Sequence, residues 1–249
     1  MITFNPQIQP DDVIAVGDIH GRFDLLAELV DRVRGKQCTL VFLGDMVDRG
    51  PQDVEVLTLI EDMTQDPDKY GLNAVYALRG NHEEMFVSAV GDGYGWTDWI
   101  RNGGSYDKVS DLKPFVSWVR GLPLYLVISD TLFIHAGVNP GQDPKEAIRD
   151  GKAQSLLWIR GVFLLHGAEL WKWTDKIKRV VHGHTVTAFE REFGGEEGMP
   201  LVYKDRVNID TGAVFTNVLT AYNVTQNTFW QHIFEDESNP TETPYLPVF

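Results

Sequence analysis

The sequence lacks the features of secreted, disulfide-stabilised and membrane-spanning proteins. Its 249 residues include one cysteine, Cys38, so no intrachain disulfide can form. No apolar run approaches the roughly 20 residues of a membrane-spanning helix. Met1–Asp12 contains no basic segment followed by an apolar stretch. We therefore expect a cytoplasmic protein, with Cys38 as a buried thiol before the apolar run Thr39–Leu43.

Basic side chains are also few. The chain has 22 lysines and arginines against 36 aspartates and glutamates, a formal net charge of −14. Non-specific binding to nucleic acid or to an anionic membrane needs a basic surface, so we expect neither kind of partner. Hydrophobic residues make up 43% of the chain, enough for a sizeable core. The length favours one α/β domain over residues 1–249, with a loose acidic, proline-containing tail from about residue 235.

Strand-like and helix-like segments alternate in the first third of the chain. The predicted strands are Val13–Val16, Thr39–Leu43 and Asn73–Leu78, and the predicted helices are Phe23–Arg34, Asp53–Met63 and a short one from Glu83. This alternation predicts parallel strands joined by crossover helices.

Strands predominate later in the chain. Gly91–Tyr106 is rich in glycine and aromatic residues and predicts an ordered irregular loop, and Lys113–Arg120 predicts a short helix. The predicted strands that follow are a hairpin of Leu124–Ile128 and Leu132–Ile134, then Arg179–Val181, Leu201–Tyr203, Val207–Ile209, Val218–Tyr222 and Thr228–Gln231. These strands favour a second sheet facing the first.

Polar residues beside glycine recur where the predicted strands end. The five strand ends carry Gly17-Asp18-Ile19-His20-Gly21, Gly44-Asp45-Met46-Val47-Asp48-Arg49-Gly50, Arg79-Gly80-Asn81-His82-Glu83, His135-Ala136-Gly137 and His182-Gly183-His184-Thr185. Open α/β sheets bind ligands at the carboxyl ends of their strands. The five segments could therefore converge on one site.

The residue types at these ends indicate a metal site. Carboxylate, amide oxygen and imidazole suit divalent manganese, iron or zinc, and the absence of thiolate disfavours a structural zinc. This donor set is more than one ion needs. Two ions roughly 3.5–4 Å apart can clamp the attacking and leaving oxygens of a phosphate displacement.

Each segment taken alone has an ordinary structural explanation. Asp48-Arg49 could be a local ion pair and Asn81 a helix cap. His182 and His184 share one face if their strand continues, whereas Gly183 makes a turn equally reasonable, so spacing does not choose between the two histidines. The prediction of a site depends on the joint occurrence of the five segments, in order.

These motifs resemble one family. Gly17–Gly21, Gly44–Gly50 and Gly80–Glu83 match the three signatures of the phosphoprotein phosphatase family of calcineurin-like metallophosphoesterases, and His135–Gly137 and Gly183–Thr185 match its later histidine motifs. The likeness runs from about Val13 to about Leu219 and is greatest to the small bacterial and phage-lambda-type serine/threonine protein phosphatases.

The resemblance implies a fold and a set of metal ligands. The implied fold is α/β, with two facing mixed β-sheets flanked by helices and the metals at one edge. The implied ligands are Asp18, His20 and Asp45 for the first ion, and the bridging Asp45 with Asn81, His135 and His184 for the second. The implied cofactors are two divalent ions, manganese by preference, with iron or zinc as alternatives.

The resemblance also implies a mechanism and a substrate. Arg49 and Arg160 would bind the phosphate, His82 would protonate the leaving group, and Asp48 would orient His82. A metal-bridging hydroxide would attack phosphorus directly. The implied substrate is a phosphorylated protein, at serine or threonine, or a small phosphoester.

Three rival interpretations stay open. The first is a symmetrical diadenosine tetraphosphate hydrolase or another nucleotide phosphoesterase. The symmetrical hydrolase resembles this chain but usually has Ala, Asp and Trp where this chain has Asp48, Glu83 and Thr185. A catalytically inactive binding module typically loses metal ligands, and here every expected ligand is present. The aromatic residues of the loop, such as Trp96 and Trp99, could form a partner-docking surface, although packing onto the core is the commoner arrangement.

Overall fold

The structure is a computed structural model that describes residues 7–165, 174 and 176–233; the predicted tail from about residue 235 lies outside the described residues. Its strands are β1 (Val13–Val16), β2 (Thr39–Phe42), β3 (Ala74–Ala77), β4 (Tyr125–Ile128), β5 (Thr131–Ile134), β6 (Arg179–His182), β7 (Leu201–Tyr203), β8 (Arg206–Asn208), β9 (Val218–Asn223) and β10 (Thr228–Ile233).

Short helices fill most of the connections between strands. They are α1 (Phe23–Val33), α2 (Asp53–Gln65), α3 (Asn81–Phe86), α4 (Trp96–Arg101), α5 (Val109–Leu112), α6 (Val116–Gly121), α7 (Pro144–Arg149), α8 (Gln154–Trp158), α9 (Gly161–Leu165) and α10 (Ala213–Thr216). No helix in the described part of the chain is long and apolar enough to cross a membrane.

The strands form two five-stranded mixed sheets. The strand orders are β10-β9-β1-β2-β3 and β4-β5-β6-β8-β7. The pairs β1–β2 and β2–β3 are parallel in the first sheet, as are β5–β6 and β6–β8 in the second. The remaining pairs are antiparallel. The parallel strands predicted in the first third of the chain are therefore confirmed. In each sheet, the carboxyl ends of three parallel strands lie at the same edge.

The alternation of side chains along each strand produces the layers. In β1, Val16 packs on the helices outside the first sheet, whereas its neighbour Ala15 points between the sheets. In β6, Val180 packs on the helices outside the second sheet and Val181 points between the sheets. Successive side chains of a strand point to opposite faces, so a strand buried on both faces is apolar throughout. The predicted fold of two facing sheets flanked by helices is confirmed.

One prediction for the middle of the chain was wrong, and another was confirmed only in part. The segment Gly91–Tyr106 contains helix α4, which begins after Gly95 in a left-handed conformation (φ 75°). The predicted helix Lys113–Arg120 is a 3-10 turn over its first three residues and becomes α-helical only at Val116. Helices of one or two turns carry too few apolar repeats for a period to show above the glycine and aromatic content.

Candidate metal centre

The carboxyl ends of the parallel strands bring the six predicted ligands to one place. Asp18 and His20 follow β1, Asp45 follows β2, Asn81 begins α3, His135 follows β5 and His184 follows β6. All six side chains are buried. Strands from two facing sheets that end at the same edge place their loops next to one another, so residues more than 160 positions apart become neighbours.

Asp45 is the centre of this cluster. Its Oδ2 lies 3.6 Å from His20 Nε2, and its Oδ1 lies 3.3 Å from His135 Nε2. Among the described residues, potential ligand atoms converge within 4.8 Å in two groups, His20 with Asp45 and His82, and Asp45 with His135 and His184. The carboxylate of Asp45 thus faces both groups, as a bridging ligand must.

Asn81 connects the histidines of the second group. Its Oδ1 lies 2.8 Å from His135 Nε2 and 2.9 Å from His184 Nδ1. His135 Nδ1 lies 3.1 Å from the Leu43 carbonyl and donates to it, and burial lowers the pKa of His135. The neutral ring therefore turns the lone pair of Nε2 toward the lone pairs of Asn81, an arrangement that a cation between them would satisfy.

Asp18 gives a second indication of a cation. Its Oδ2 accepts the backbone N–H of His184 at 3.0 Å, while its buried Oδ1 has no hydrogen-bond partner among the described residues. Burial, together with the nearby carboxylates of Asp210 and Asp45, raises the pKa of Asp18 well above its ordinary value. Buried carboxylates need a compensating charge, and divalent ions supply it. The donors present therefore fit two divalent ions.

The backbone around the cluster adopts unusual conformations. Eleven non-glycine residues in the described part of the chain have positive φ, and five of them are predicted site residues: His20, Asp45, Asp48, Arg49 and His184. Left-handed backbone costs about 1–2 kcal/mol per non-glycine residue. Such strain persists where the surrounding structure enforces it, and it is enriched at functional sites.

Glu83 holds the strained loop after β2. Its buried carboxylate accepts the backbone N–H groups of Asp45 and Met46 at 2.7 Å each, and that of Gly80 at 2.8 Å. From the sequence, Glu83 is only a member of the motif Gly80–Glu83, with no predicted role of its own. A glutamate three residues after a helix N-cap commonly bonds back to the cap, and this spacing is a signal that could have indicated its contact with Gly80.

His82 and Asp48 form a buried pair beside the first group. His82 Nδ1 lies 2.8 Å from Asp48 Oδ2. Burial alone would lower the pKa of His82, but the carboxylates of Asp45 and Asp48 outweigh it and raise that pKa above its ordinary value. The exposed Arg49 donates through Nη1 to His20 Nε2 at 2.7 Å and through Nη2 to His82 Nε2 at 2.9 Å.

Arg160 reaches the cluster from the short connection between α8 and α9. It is exposed, and its Nη1 donates to Thr185 Oγ1 at 2.8 Å. Its charge interacts with those of Asp210, Asp45 and Asp18. The two arginines predicted to bind phosphate therefore stand at the opening of the cluster, one beside each group of ligand atoms.

Two residues next to the cluster, Asp210 and His182, show which side chains belong to it and which do not. Asp210, which the sequence analysis did not single out, is buried beside Asp18, and burial raises its pKa to about 6. His182 packs edge-on against Phe163 with ring centroids 5.0 Å apart and belongs to neither group of ligand atoms. Packing thus separates His184 from His182, which spacing alone could not do.

The aromatic side chains of the segment Gly91–Tyr106 divide between the core and the surface. Trp99 is fully buried, and Trp96 is half-buried against it with ring centroids 5.7 Å apart. Tyr94 is 62% exposed. The prediction that the aromatic residues of this segment pack onto the core is therefore confirmed for Trp99 and wrong for Tyr94.

Comparison with known proteins places this geometry in context. The family model for calcineurin-like phosphoesterases matches residues 12–209. A protein serine/threonine phosphatase from Saccharomyces cerevisiae has a similar structure, with 18% identity over 95% of this chain and 86% of that one and a TM-score of 0.62.

Two further solved structures are similar. A proposed diadenosine tetraphosphatase has 19% identity over 94% of this chain and 98% of that one, with a TM-score of 0.60. A cold-active protein-tyrosine phosphatase of a psychrophilic Shewanella species has 21% identity over 91% of this chain and 83% of that one, with a TM-score of 0.59. At such identities the three structures share the fold with this chain, and their substrates differ.

Proposed function

The chain belongs to the calcineurin-like phosphoesterase family, whose members use a dinuclear metal centre, and from this premise we propose that it removes phosphate from phosphoserine and phosphothreonine in proteins. The proposed ligands of the two ions are Asp18, His20, Asp45, Asn81, His135 and His184, with manganese as the preferred metal and iron or zinc as alternatives. When bound, the ions supply Lewis acidity toward the phosphoryl oxygens and activate water for attack.

The two arginines would bind the phosphoryl group. Arg49 and Arg160 are exposed at the mouth of the cluster and carry planar donors that match phosphate oxygens. Because Arg49 is exposed, its guanidinium can turn from His20 and His82 toward a bound phosphate. That movement would free His82 Nε2 to carry a proton, while Nδ1 stays on Asp48.

The observation that carries the choice of substrate is the contact between His82 and Asp48. A serine or threonine alkoxide is a strongly basic leaving group, so cleavage of its phosphate ester needs a proton donor. When the leaving group is a nucleotide phosphate, it is a much weaker base and departs without a proton donor. The buried carboxylate 2.8 Å from His82 Nδ1 favours the protonated ring and fixes its direction, which suits a phosphate monoester of an alcohol.

Phosphate release from a substrate panel tests this proposal. The panel contains phosphoserine, phosphothreonine and phosphotyrosine peptides and diadenosine tetraphosphate, each assayed after chelation and after addition of Mn²⁺. We expect chelation to abolish turnover, Mn²⁺ to restore it with about two ions bound per chain, and the phosphoserine and phosphothreonine peptides to have the highest kcat/KM.

Asp48→Asn provides a second test of the substrate class. It should slow the phosphoserine peptide strongly and diadenosine tetraphosphate little, because only the first substrate needs the proton donor. A higher kcat/KM for diadenosine tetraphosphate would contradict the proposed substrate class. Undiminished turnover in a thoroughly metal-free sample would contradict the metal-dependent mechanism.

A further inference from the structure

Helix α4 brings a second hydrogen-bond donor to Asp48. The indole Nε1 of the fully buried Trp99 donates to Asp48 Oδ1 at 2.9 Å, while Asp48 Oδ2 faces His82 Nδ1 at 2.8 Å. Indole nitrogen is a donor only, so the direction of this bond is certain. Each oxygen of the Asp48 carboxylate thus has its own donor, one from the aromatic segment and one from the predicted acid.

Two donors fix the plane of the carboxylate. A carboxylate held by one bond can rotate about its χ2 torsion, which is broad and only loosely restricted. Asp48 also has a left-handed backbone (φ 71°), so its side chain leaves the chain in a direction that regular structure would not give it. The bond from Trp99 therefore determines which way Asp48 presents its second oxygen to His82.

The indole is itself held firmly. A Cβ at Gly104 would overlap the Trp99 ring, so the chain passes directly against it. Trp96 packs at a steep angle on the ring, and Trp96 in turn stacks on Tyr106 with centroids 5.4 Å apart. The same segment also holds Arg49, whose backbone N–H donates to the Gly103 carbonyl at 3.2 Å.

We propose that Trp99 is a positioning residue for protonation of the leaving group. In that step the oxygen of an attacking hydroxide bonds to phosphorus and the P–O bond to the leaving group breaks. Its electron pair goes to the leaving oxygen, which takes the proton from His82. Trp99 exchanges no proton; it holds the Asp48 carboxylate in the plane that aligns His82. This inference rests on the proposed phosphomonoesterase function and adds a residue outside the strand-end motifs to it.

Trp99→Phe tests the inference by removing the donor while keeping an aromatic ring. On a phosphoserine peptide we expect kcat to fall by about 10-fold, because one hydrogen bond to a charged group is lost. On an aryl phosphate whose phenol is strongly acidic, the fall should be much smaller. Bound metal and Tm should stay close to those of the control variant Trp96→Phe, which alters the same aromatic cluster but leaves the Asp48 contact in place.

A second measurement does not depend on activity. In the NMR spectrum of the full chain, the indole N–H signal of Trp99 should shift clearly upfield in Asp48→Asn, where the charged acceptor is lost, while the Trp96 indole signal should shift far less. An unchanged Trp99 signal would overturn the inference. So would a kcat deficit in Trp99→Phe that is equal on both substrates. If the wild-type protein hydrolyses no phosphomonoester, the proposed function fails, and the NMR measurement still decides whether Trp99 holds Asp48.

Discussion

Replacing His82 with asparagine tests whether its imidazole is the proton donor. The side chain contacts Asp48 through Nδ1 at 2.8 Å and faces Arg49 through Nε2 at 2.9 Å. Its backbone N–H donates to Asp45 Oδ1 at 3.0 Å, a bond that the substitution preserves. His82→Asn therefore removes the imidazole and leaves the backbone contact to Asp45 in place.

The expected magnitude follows from what the imidazole does. A positioned general acid contributes about 10²–10⁴-fold to a step that needs it, or roughly 3–5 kcal/mol of barrier. A nitrophenyl ester with an acidic leaving group needs little of this help. The variant also removes the His82 contact from the Asp48 carboxylate, which keeps only the hydrogen bond from Trp99. Loss of this contact should cost about 1–3 kcal/mol of folding stability.

The assay is a plot of log kcat against leaving-group pKa for wild type and His82→Asn. We expect the deficit of the variant to grow with the basicity of the leaving group and to be largest for phosphoserine. Metal analysis accompanies the assay, because His82 Nε2 lies 3.9 Å from Asp45 Oδ2 and His82 belongs to the first group of potential ligand atoms. The predicted ligands of the first ion are Asp18, His20 and Asp45, without His82, so the variant should keep both ions.

Either of two results would refute this reasoning. A rate deficit that is the same for every leaving group would mean that His82 only holds the phosphate by a hydrogen bond. Loss of one ion from His82→Asn would mean that His82 is a metal ligand and that the division of roles is wrong.

Three further predictions follow from the same geometry. Asp45→Asn should lose both metal and turnover, whereas Asp48→Asn should keep both ions while kcat on phosphoserine falls; equal metal loss, measured by elemental analysis, would contradict this division. His184→Ala should lower bound metal far more than His182→Ala, whose side chain packs against the core instead. Burial raises the pKa of Glu190 to about 7 from an ordinary 4.5, so the contribution of Glu190 to stability falls as pH rises through this range. The Tm of Glu190→Gln relative to wild type should therefore increase from pH 5 to pH 8 and then level off.

The sequence by itself determined the sheets and the composition of the site. Continuous apolar runs such as Thr39–Phe42 specify strands buried on both faces, and the polar residues after them specify what the strand ends carry. Asp45 and His135 were predictable candidates because the residue type and the strand end are both local properties of the chain. The roles given to these residues as metal ligands remain predictions for the experiments above.

Only the tertiary structure decided which of these residues meet, and how. Helix α4 is too short to show a period, and nothing local in the sequence joins Trp99 to Asp48 across 51 positions. The choice between His184 and His182 also needed packing, because it depends on which ring faces Asn81 and which faces Phe163. The left-handed backbone at Asp48 also depends on tertiary packing. Local patterns encode local conformation, whereas strain and long-range hydrogen bonds exist only once the two sheets and their loops have packed together.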